Sequence, residues 1–134
     1  MMKRREFAMA AMAGAASRAA MALDSGIPAP KFRAKSLDGE MFNNESVAGK
    51  VVLVQLWTTW CGYCRRDQPA VDQMVEEFGK QGLIVLAVNI GESKSKVQSY
   101  LEDNPRKVKA VLTGDTNLGA MFGDGGYPRY VVIN

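Results

Sequence analysis

The sequence predicts an α/β domain in which helices cover both faces of a mixed sheet. Two apolar runs of strand length, Val51–Trp57 and Leu83–Asn89, are separated by a segment whose apolar residues recur at helical spacing. A helix between two such strands predicts a crossover connection and parallel pairing. With 134 residues, of which 47% are hydrophobic and 23% charged, the chain has the size and composition of one globular domain.

The helix of this crossover is expected to begin near Cys61 and to pack on the sheet through one face. The apolar residues at helical spacing are Ala70, Val71, Met74, Val75 and Phe78. Pro69 lies inside the predicted helix, where a proline removes a backbone hydrogen bond and kinks the helix. Gly82 is the expected stop signal before the second strand.

Turn signals divide the rest of the chain. Asp38-Gly39 between two short extended runs predicts a hairpin in residues 31–42, and a loop follows as far as residue 50. After the second strand, Ser93 or Ser95 is expected to cap a helix over residues 96–103. The remaining predicted elements are a strand over 108–113, a turn at 114–116, a short helix over 118–122 and a strand over 130–133.

The first 22 residues are predicted to be an export signal. Residues 3–5 are basic, residues 7–16 form a weakly apolar run, and Ala-Met-Ala at 20–22 fits a cleavage site. Arg-Arg-Glu-Phe at 4–7 resembles a twin-arginine signal; a Sec signal or an organelle transit peptide is the alternative. Residues 23–30 are then a linker, and 31–134 the folded domain. This predicts an exported, periplasmic protein without a lasting membrane span.

The folded part of the chain is predicted to be close to electrically neutral. Four of the 17 basic residues and one of the 14 acidic residues lie in the first 22 positions, which leaves 13 of each. A neutral domain argues against a nucleic-acid-binding surface. The chain has no histidine and two cysteines, whereas a structural zinc site needs about four ligands, so a metal site is not expected.

Cys61 and Cys64 lie where the first apolar strand gives way to the helix. The unpaired amides and the dipole of a helix N-terminus favour a negative charge, so the Cys61 thiolate is expected to form readily. Two intervening residues allow the second sulfur to reach the first. We therefore predict a reversible disulfide, in which Cys61 attacks a partner and Cys64 resolves the mixed disulfide. A purely structural disulfide is the alternative, although one that closes so short a loop restrains the unfolded chain little.

Four stretches extend this pattern beyond the two cysteines. Pro-Ala-Pro-Lys-Phe at 28–32 with Leu-Asp-Gly-Glu at 37–40 forms the first, and the run 49–61 that leads into Cys61 forms the second. Pro69 follows Cys64 by five residues, and Gly-Tyr-Pro at 126–128 precedes the last strand. Together they resemble the exported TlpA/ResA/DsbE-like branch of the thiol:disulfide oxidoreductases, which has the thioredoxin fold. The resemblance covers nearly all of residues 28–134.

The resemblance implies a role for each of these residues. Cys61 would be the exposed nucleophile and Cys64 the resolving thiol. Pro128 would follow a cis peptide bond and lie beside the disulfide, and the Tyr127 backbone would hydrogen-bond an extended segment of the partner. The residues expected to contact the substrate are Trp60, Gly62, Tyr63, Tyr127 and Pro128.

Three features depart from the family or bear on its mechanism. Gln55 occupies the position of the buried acid that assists the resolving cysteine in thioredoxin, so that role is absent or relocated. Asp67, three residues after Cys64, matches the acid of the ResA-like motif and is the candidate proton acceptor; alternatively it is a surface carboxylate that balances Arg65 and Arg66. The family continues with another strand and helix beyond Asn134, so we expect a C-terminally truncated domain with an uncovered sheet edge.

The implied activity is thiol–disulfide exchange on protein substrates outside the cytoplasm, usually as a reductant. Substrates of this branch include apocytochrome c thiols and copper-site cysteines, and electrons come from a membrane thiol carrier. We expect a monomer that needs no organic cofactor. The alternatives are a peroxiredoxin-type thiol peroxidase, a Sco-type copper chaperone and an inactive truncated module. The first needs a proline-containing motif before Cys61, and the second needs C-x-x-x-C spacing and a histidine; the sequence has none of these.

Overall fold

A computed structural model describes residues 28–123 and 125–134, which form a six-stranded mixed sheet in the order β2-β1-β5-β4-β3-β6. The strands are β1 Arg33–Ser36, β2 Met41–Asn43, β3 Val51–Trp57, β4 Leu83–Asn89, β5 Lys109–Thr116 and β6 Arg129–Ile133. The helices are α1 Gly62–Phe78, α2 Lys94–Asp103 and α3 Leu118–Phe122. The predicted export signal and most of the predicted linker lie outside the described residues.

The predicted crossover unit is confirmed. β3 and β4 pair in parallel along their full lengths, from Val51 opposite Leu83 to Trp57 opposite Asn89. Every residue of β3 after Val51 is buried, and alternate side chains of a strand point to opposite faces of the sheet. Cys61 therefore lies just beyond the carboxyl end of a buried strand at the centre of the sheet.

Helices lie on both faces of the sheet, as predicted. On one face, Val97 of α2 packs in the same cluster as Trp57 of β3 and Cys64 of α1. On the other face, Leu118 of α3 packs in the larger core cluster, which includes alternate β3 residues such as Val54. The two long helices therefore share the face that carries the cysteines.

The buried face of α1 differs from the predicted one. The buried residues are Cys64, Gln68 and Val71, and the half-buried ones are Asp67, Asp72 and Val75. The members of the predicted face that are exposed instead are Ala70, Met74 and Phe78. The difference arises because α1 turns Cys64 and the polar Gln68 inward. The Gln68 amide donates to the hydroxyl of Tyr100 on α2 at 3.2 Å. A prediction from apolar periodicity counts only apolar residues, so it cannot identify a glutamine as part of the buried face.

The end of α1 also differs from the prediction. The helix passes through Pro69 and ends at Phe78, and a single 3₁₀ turn, Gly79–Gln81, follows it. Gly82 has a φ of 102° and ends that turn instead of the α-helix. A left-handed φ is one that glycine adopts at little cost, which explains why glycine stands at this position.

Strand β5 is longer than predicted and includes residues 114–116, which the sequence indicated as a turn. β5 first runs parallel to β4 and then pairs antiparallel with β1, where Val111 lies opposite Ser36 and Thr116 opposite Ala34. Four residues of β5 lie between Val111 and Thr116, whereas one residue of β1 lies between Ala34 and Ser36. The ladder between β5 and β1 therefore contains a bulge. The residues that suggested a turn therefore lie in an irregular stretch of a strand.

The remaining elements follow the predictions closely. β1 and β2 form the predicted hairpin, with Arg33 opposite Asn43. Of the two serines proposed as caps, Ser93 caps α2, because its hydroxyl accepts from the Lys96 amide at 3.2 Å. β6 pairs antiparallel with β3, so the loop before Arg129 lies at the carboxyl end of β3.

Candidate active site

The two cysteines form a disulfide at the N-terminus of α1, with their Cα atoms 5.2 Å apart. Cys61 is the N-cap residue, and its sulfur accepts a hydrogen bond from the Cys64 amide at 3.1 Å. In this position most caps are serine, threonine or aspartate oxygens. The amide would also stabilise a Cys61 thiolate once the disulfide is reduced.

Both cysteines are more enclosed than the predicted exposed nucleophile. Cys61 is 5% exposed and Cys64 is fully buried. They pack in one cluster with Trp57, Ala87 and Val97, and Tyr127 packs against this cluster. Cys61 is thus the more accessible of the pair, although little of its surface is open to solvent.

The loop before β6 packs against the cysteine cluster through Tyr127. The Tyr127–Pro128 peptide bond is cis, as expected. The Tyr127 ring also lies edge-on to Trp60, with centroids 6.3 Å apart. Trp60 and Tyr63 are exposed by 67% and 62%. Two aromatic side chains next to the cysteines in sequence are therefore largely open to solvent.

The structure brings the predicted substrate-contacting residues to one end of the sheet. Trp60, Gly62 and Tyr63 flank the cysteines at the start of α1, and Gly62 is exposed. Tyr127 and Pro128 come from the adjoining loop. Exposed aromatic rings around a reactive group are typical of a surface that binds a peptide segment.

Asp67 lies one helical turn after Cys64, and about a third of its side chain is exposed. One carboxylate oxygen accepts from the Tyr130 hydroxyl at 2.9 Å, and the other lies 3.6 Å from Arg66 Nε. Arg65 instead donates to the Thr59 carbonyl at 2.9 Å. Asp67 thus pairs with Arg66 but not Arg65 of the two predicted partners, and its role as a proton acceptor stays a prediction.

Sequence reasoning missed Glu92, which holds the loop before Cys61 in place. Glu92 lies after β4, and its carboxylate accepts from the amide and hydroxyl of Thr59, from the Asn89 side chain and from Lys96. Burial raises the pKa of Glu92, but these hydrogen bonds outweigh it and lower the pKa to about 2. An acid in a polar loop gives no sequence signal, because its partner Thr59 is 33 residues away.

Sequence reasoning also missed Tyr130, which connects Gln55 to Asp67. Gln55 is fully buried on β3, between Ala87 of β4 and Tyr130 of β6. Its amide donates to the Tyr130 hydroxyl at 3.1 Å. The position of the buried acid in thioredoxin is thus occupied by the amide of Gln55, which does not ionise. Through Tyr130, this amide is linked by hydrogen bonds to the carboxylate of Asp67.

The described part of the chain contains no group of three or more side chains placed to bind a metal ion. Across residues 28–123 and 125–134, no helix has the length and apolar character needed to cross a membrane.

Comparisons with known proteins agree with this architecture. The chain is 30% identical over 109 residues to the thiol-disulfide oxidoreductase ResA of Geobacillus thermodenitrificans, covering 81% of this chain and 63% of the relative. It is 33% identical over 114 residues to the thiol:disulfide interchange protein DsbE of Escherichia coli K12, covering 81% and 59%. The chain thus spans about three fifths of the length of these relatives.

A solved structure gives the same result for the fold. The thiol:disulfide interchange protein of Chlorobium tepidum, a thioredoxin family protein, superposes with a TM-score of 0.68 at 26% identity, covering 80% of this chain and 77% of that protein. Residues 24–134 match the Redoxin family. The described residues have the thioredoxin fold, and the chain belongs to the Redoxin family.

Proposed function

We propose that this protein catalyses thiol–disulfide exchange on protein substrates through Cys61 and Cys64. The observation that carries the proposal is a disulfide at a helix N-terminus, next to a cis-proline loop and two exposed aromatic rings. The relatives named as thiol-disulfide oxidoreductases support the same reaction.

The proposed direction is reduction of the substrate. The Cys61 thiolate attacks a disulfide in the partner, and one partner sulfur leaves with its electron pair. Cys64 then loses its proton, attacks Cys61 and releases the second partner sulfur, so that the partner gains two electrons and the Cys61–Cys64 disulfide forms. Asp67 is the proposed acceptor of the Cys64 proton. A membrane thiol carrier would restore the reduced pair.

The partner is proposed to bind as an extended segment over the aromatic end of the sheet. Trp60 and Tyr63 offer exposed apolar rings on one side, and the backbone at Tyr127 offers hydrogen-bonding groups on the other. We propose apocytochrome c thiols or copper-site cysteines as substrates and a location outside the cytoplasm, where such disulfides form. We further propose that the protein works as a monomer.

A trapping experiment tests the reaction. A Cys64→Ser variant attacks a partner but cannot resolve the mixed disulfide, so covalent complexes should accumulate and disappear on reduction. The matched Cys61→Ser variant should accumulate none. Equal trapping by the two variants, or none by either, would contradict the proposal.

A redox titration of the pair tests the direction. A potential near about −270 mV, as in thioredoxin, favours a reductant, whereas one near about −120 mV indicates an oxidant. The trapped partners would then identify the substrate class independently of the potential.

A further inference from the structure

A chain of hydrogen bonds runs from the interior of the sheet to Asp67. The Gln55 amide donates to the Tyr130 hydroxyl at 3.1 Å, and that hydroxyl donates to Asp67 at 2.9 Å. Gln55 is fully buried, and its Oε1 atom has no hydrogen-bond partner among the described residues. Tyr130 on β6 therefore ties the acid on α1 to Gln55 on β3, the strand that leads into Cys61.

The Tyr130 hydroxyl is held as a hydrogen-bond donor. Burial raises the pKa of Tyr130, and the neighbouring Asp67 carboxylate raises it further, to about 12. The phenol thus keeps its proton throughout the physiological range. Because its oxygen accepts from Gln55, its proton is directed at Asp67.

Other charged groups also face this pair. Arg66 on α1 lies 3.6 Å from the second oxygen of Asp67. The positive charge of Arg106, which precedes β5, lowers the pKa of Tyr130 slightly against the two larger effects. The Arg106 guanidinium is bound by Asp72 at 3.0 Å. Asp67 is thus held between one cation and one neutral donor.

We propose that Tyr130 is a positioning residue for the exchange reaction, orienting the Asp67 carboxylate to take the Cys64 proton. The proposal rests on the proposed function. Asp67 and Cys64 are three residues apart on α1, so their side chains are neighbours on the helix surface. The Tyr130 hydroxyl fixes one Asp67 oxygen by a hydrogen bond of 2.9 Å, and Tyr130 adds no charge to the site.

Resolution of the mixed disulfide begins with the transfer of a proton from Cys64. The Cys64 thiol gives its proton to the Asp67 carboxylate, and the resulting thiolate attacks the Cys61 sulfur in the mixed disulfide. The Cys61–Cys64 bond forms, the bond from Cys61 to the partner breaks, and the partner sulfur leaves as a thiolate with the electron pair. The proton on Asp67 then passes to solvent, which the partly exposed carboxyl permits.

The test separates attack from resolution with a chromogenic probe. Reduced protein mixed with excess dithiobis(nitrobenzoate) releases one coloured thiolate when Cys61 attacks and a second when Cys64 resolves. The rate of the second phase is measured against pH for the wild-type protein and Tyr130→Phe. Because Tyr130→Phe removes a hydrogen bond to a charged group, we expect the rate of its second phase to fall roughly tenfold at mildly acidic pH. Near pH 9 the two rates should agree within about twofold.

Tyr100→Phe is the matched control. It removes a hydroxyl that bonds Gln68 on the same helix but does not touch Asp67. Its second-phase profile should match the wild type. Asp67→Asn should slow the second phase at mildly acidic pH. Adding Tyr130→Phe to Asp67→Asn should not change the rate of the second phase further.

Several outcomes would overturn the proposal. One is an unchanged profile for Tyr130→Phe; another is an equal loss when Tyr130→Phe is made in the Asp67→Asn background. If Tyr130→Phe does not fold, carboxyl NMR of the reduced wild-type protein decides: the Asp67 resonance must shift as Cys64 ionises, and a constant resonance rejects the role. Failure to trap any protein partner would reject the proposed function while leaving this probe-based result intact.

Discussion

Glu92 and Thr59 are joined by two short hydrogen bonds that span two loops. The Thr59 amide donates to one carboxylate oxygen at 2.7 Å, and its hydroxyl donates to the other at 2.6 Å. The Glu92 side chain is only 7% exposed. The segment just before Cys61 is therefore held by a buried charge that follows the neighbouring strand.

The first prediction concerns acid stability. The pKa of Glu92 is about 2 in the folded protein and 4.5 ordinarily, so its contribution is complete above about pH 4.5 and is lost as the pH falls toward 2. Glu92→Gln should lower the free energy of unfolding by about 1–3 kcal/mol at pH 7. Urea unfolding should show that this difference shrinks below pH 4.5.

Asp38 provides the control for this window. Its pKa is also lowered to about 2, chiefly by the Ser36 hydroxyl, but it lies on the hairpin away from the cysteines. Asp38→Asn should therefore keep the acid dependence that comes from Glu92. If Glu92→Gln and the wild type lose stability in parallel between pH 4.5 and 2, the assigned role of Glu92 is wrong.

The second prediction concerns a buried ion pair. Asp72 on α1 lies 3.0 Å from Arg106, whose side chain is 3% exposed. Asp72→Ala leaves that guanidinium buried without its partner and should cost about 3–5 kcal/mol. Glu76→Ala, one turn further along the helix, removes an exposed pair with Lys107 and should cost less than about 1 kcal/mol. Denaturant midpoints for the two variants measure the contrast, and similar midpoints would refute it.

The third prediction concerns the core. Leu86 is fully buried at the centre of β4, so Leu86→Ala should lower the free energy of unfolding by about 2–5 kcal/mol. Met41→Ala on the outer hairpin strand, where the side chain is 63% exposed, should change it by less than about 0.5 kcal/mol. Thermal or urea unfolding tests both, and a small effect at Leu86 would show that the site collapses around the cavity.

The fourth prediction concerns partner recognition. Trp60 is exposed, and its ring lies edge-on to the Tyr127 ring. Trp60→Ala should raise KM for a protein disulfide several-fold, because an exposed aromatic anchor is lost. The rate with a small disulfide should stay the same. A parallel fall in both rates would show that Trp60 shapes the cysteine pair itself.

The sequence predicted the parts of the fold that arise from local patterns. The apolar runs of β3 and β4 gave both strands with their full bounds, and Ser93 gave the cap of α2. The buried face of α1 was wrong, because burial of Gln68 depends on a hydroxyl 32 residues away. The second half of β5 was wrong for a similar reason: its partner is β1, far earlier in the chain.

The site was predicted to a similar extent. The cysteine pair and the cis bond before Pro128 follow from motifs. Glu92 and Tyr130 do not, because each acts through contacts between segments that are distant in sequence. No periodicity or spacing within one segment reveals such a pair.

The depth of the sulfurs has a consequence for selectivity among cellular thiols. With 5% of Cys61 and none of Cys64 open to solvent, collisions with small thiols seldom reach a reactive geometry, because access limits the rate of exchange. A docked protein chain can overcome this barrier by presenting its own sulfur at close range. In the proposed reaction, this limited access slows the loss of electrons from the cysteine pair to other thiol–disulfide couples in the same surroundings.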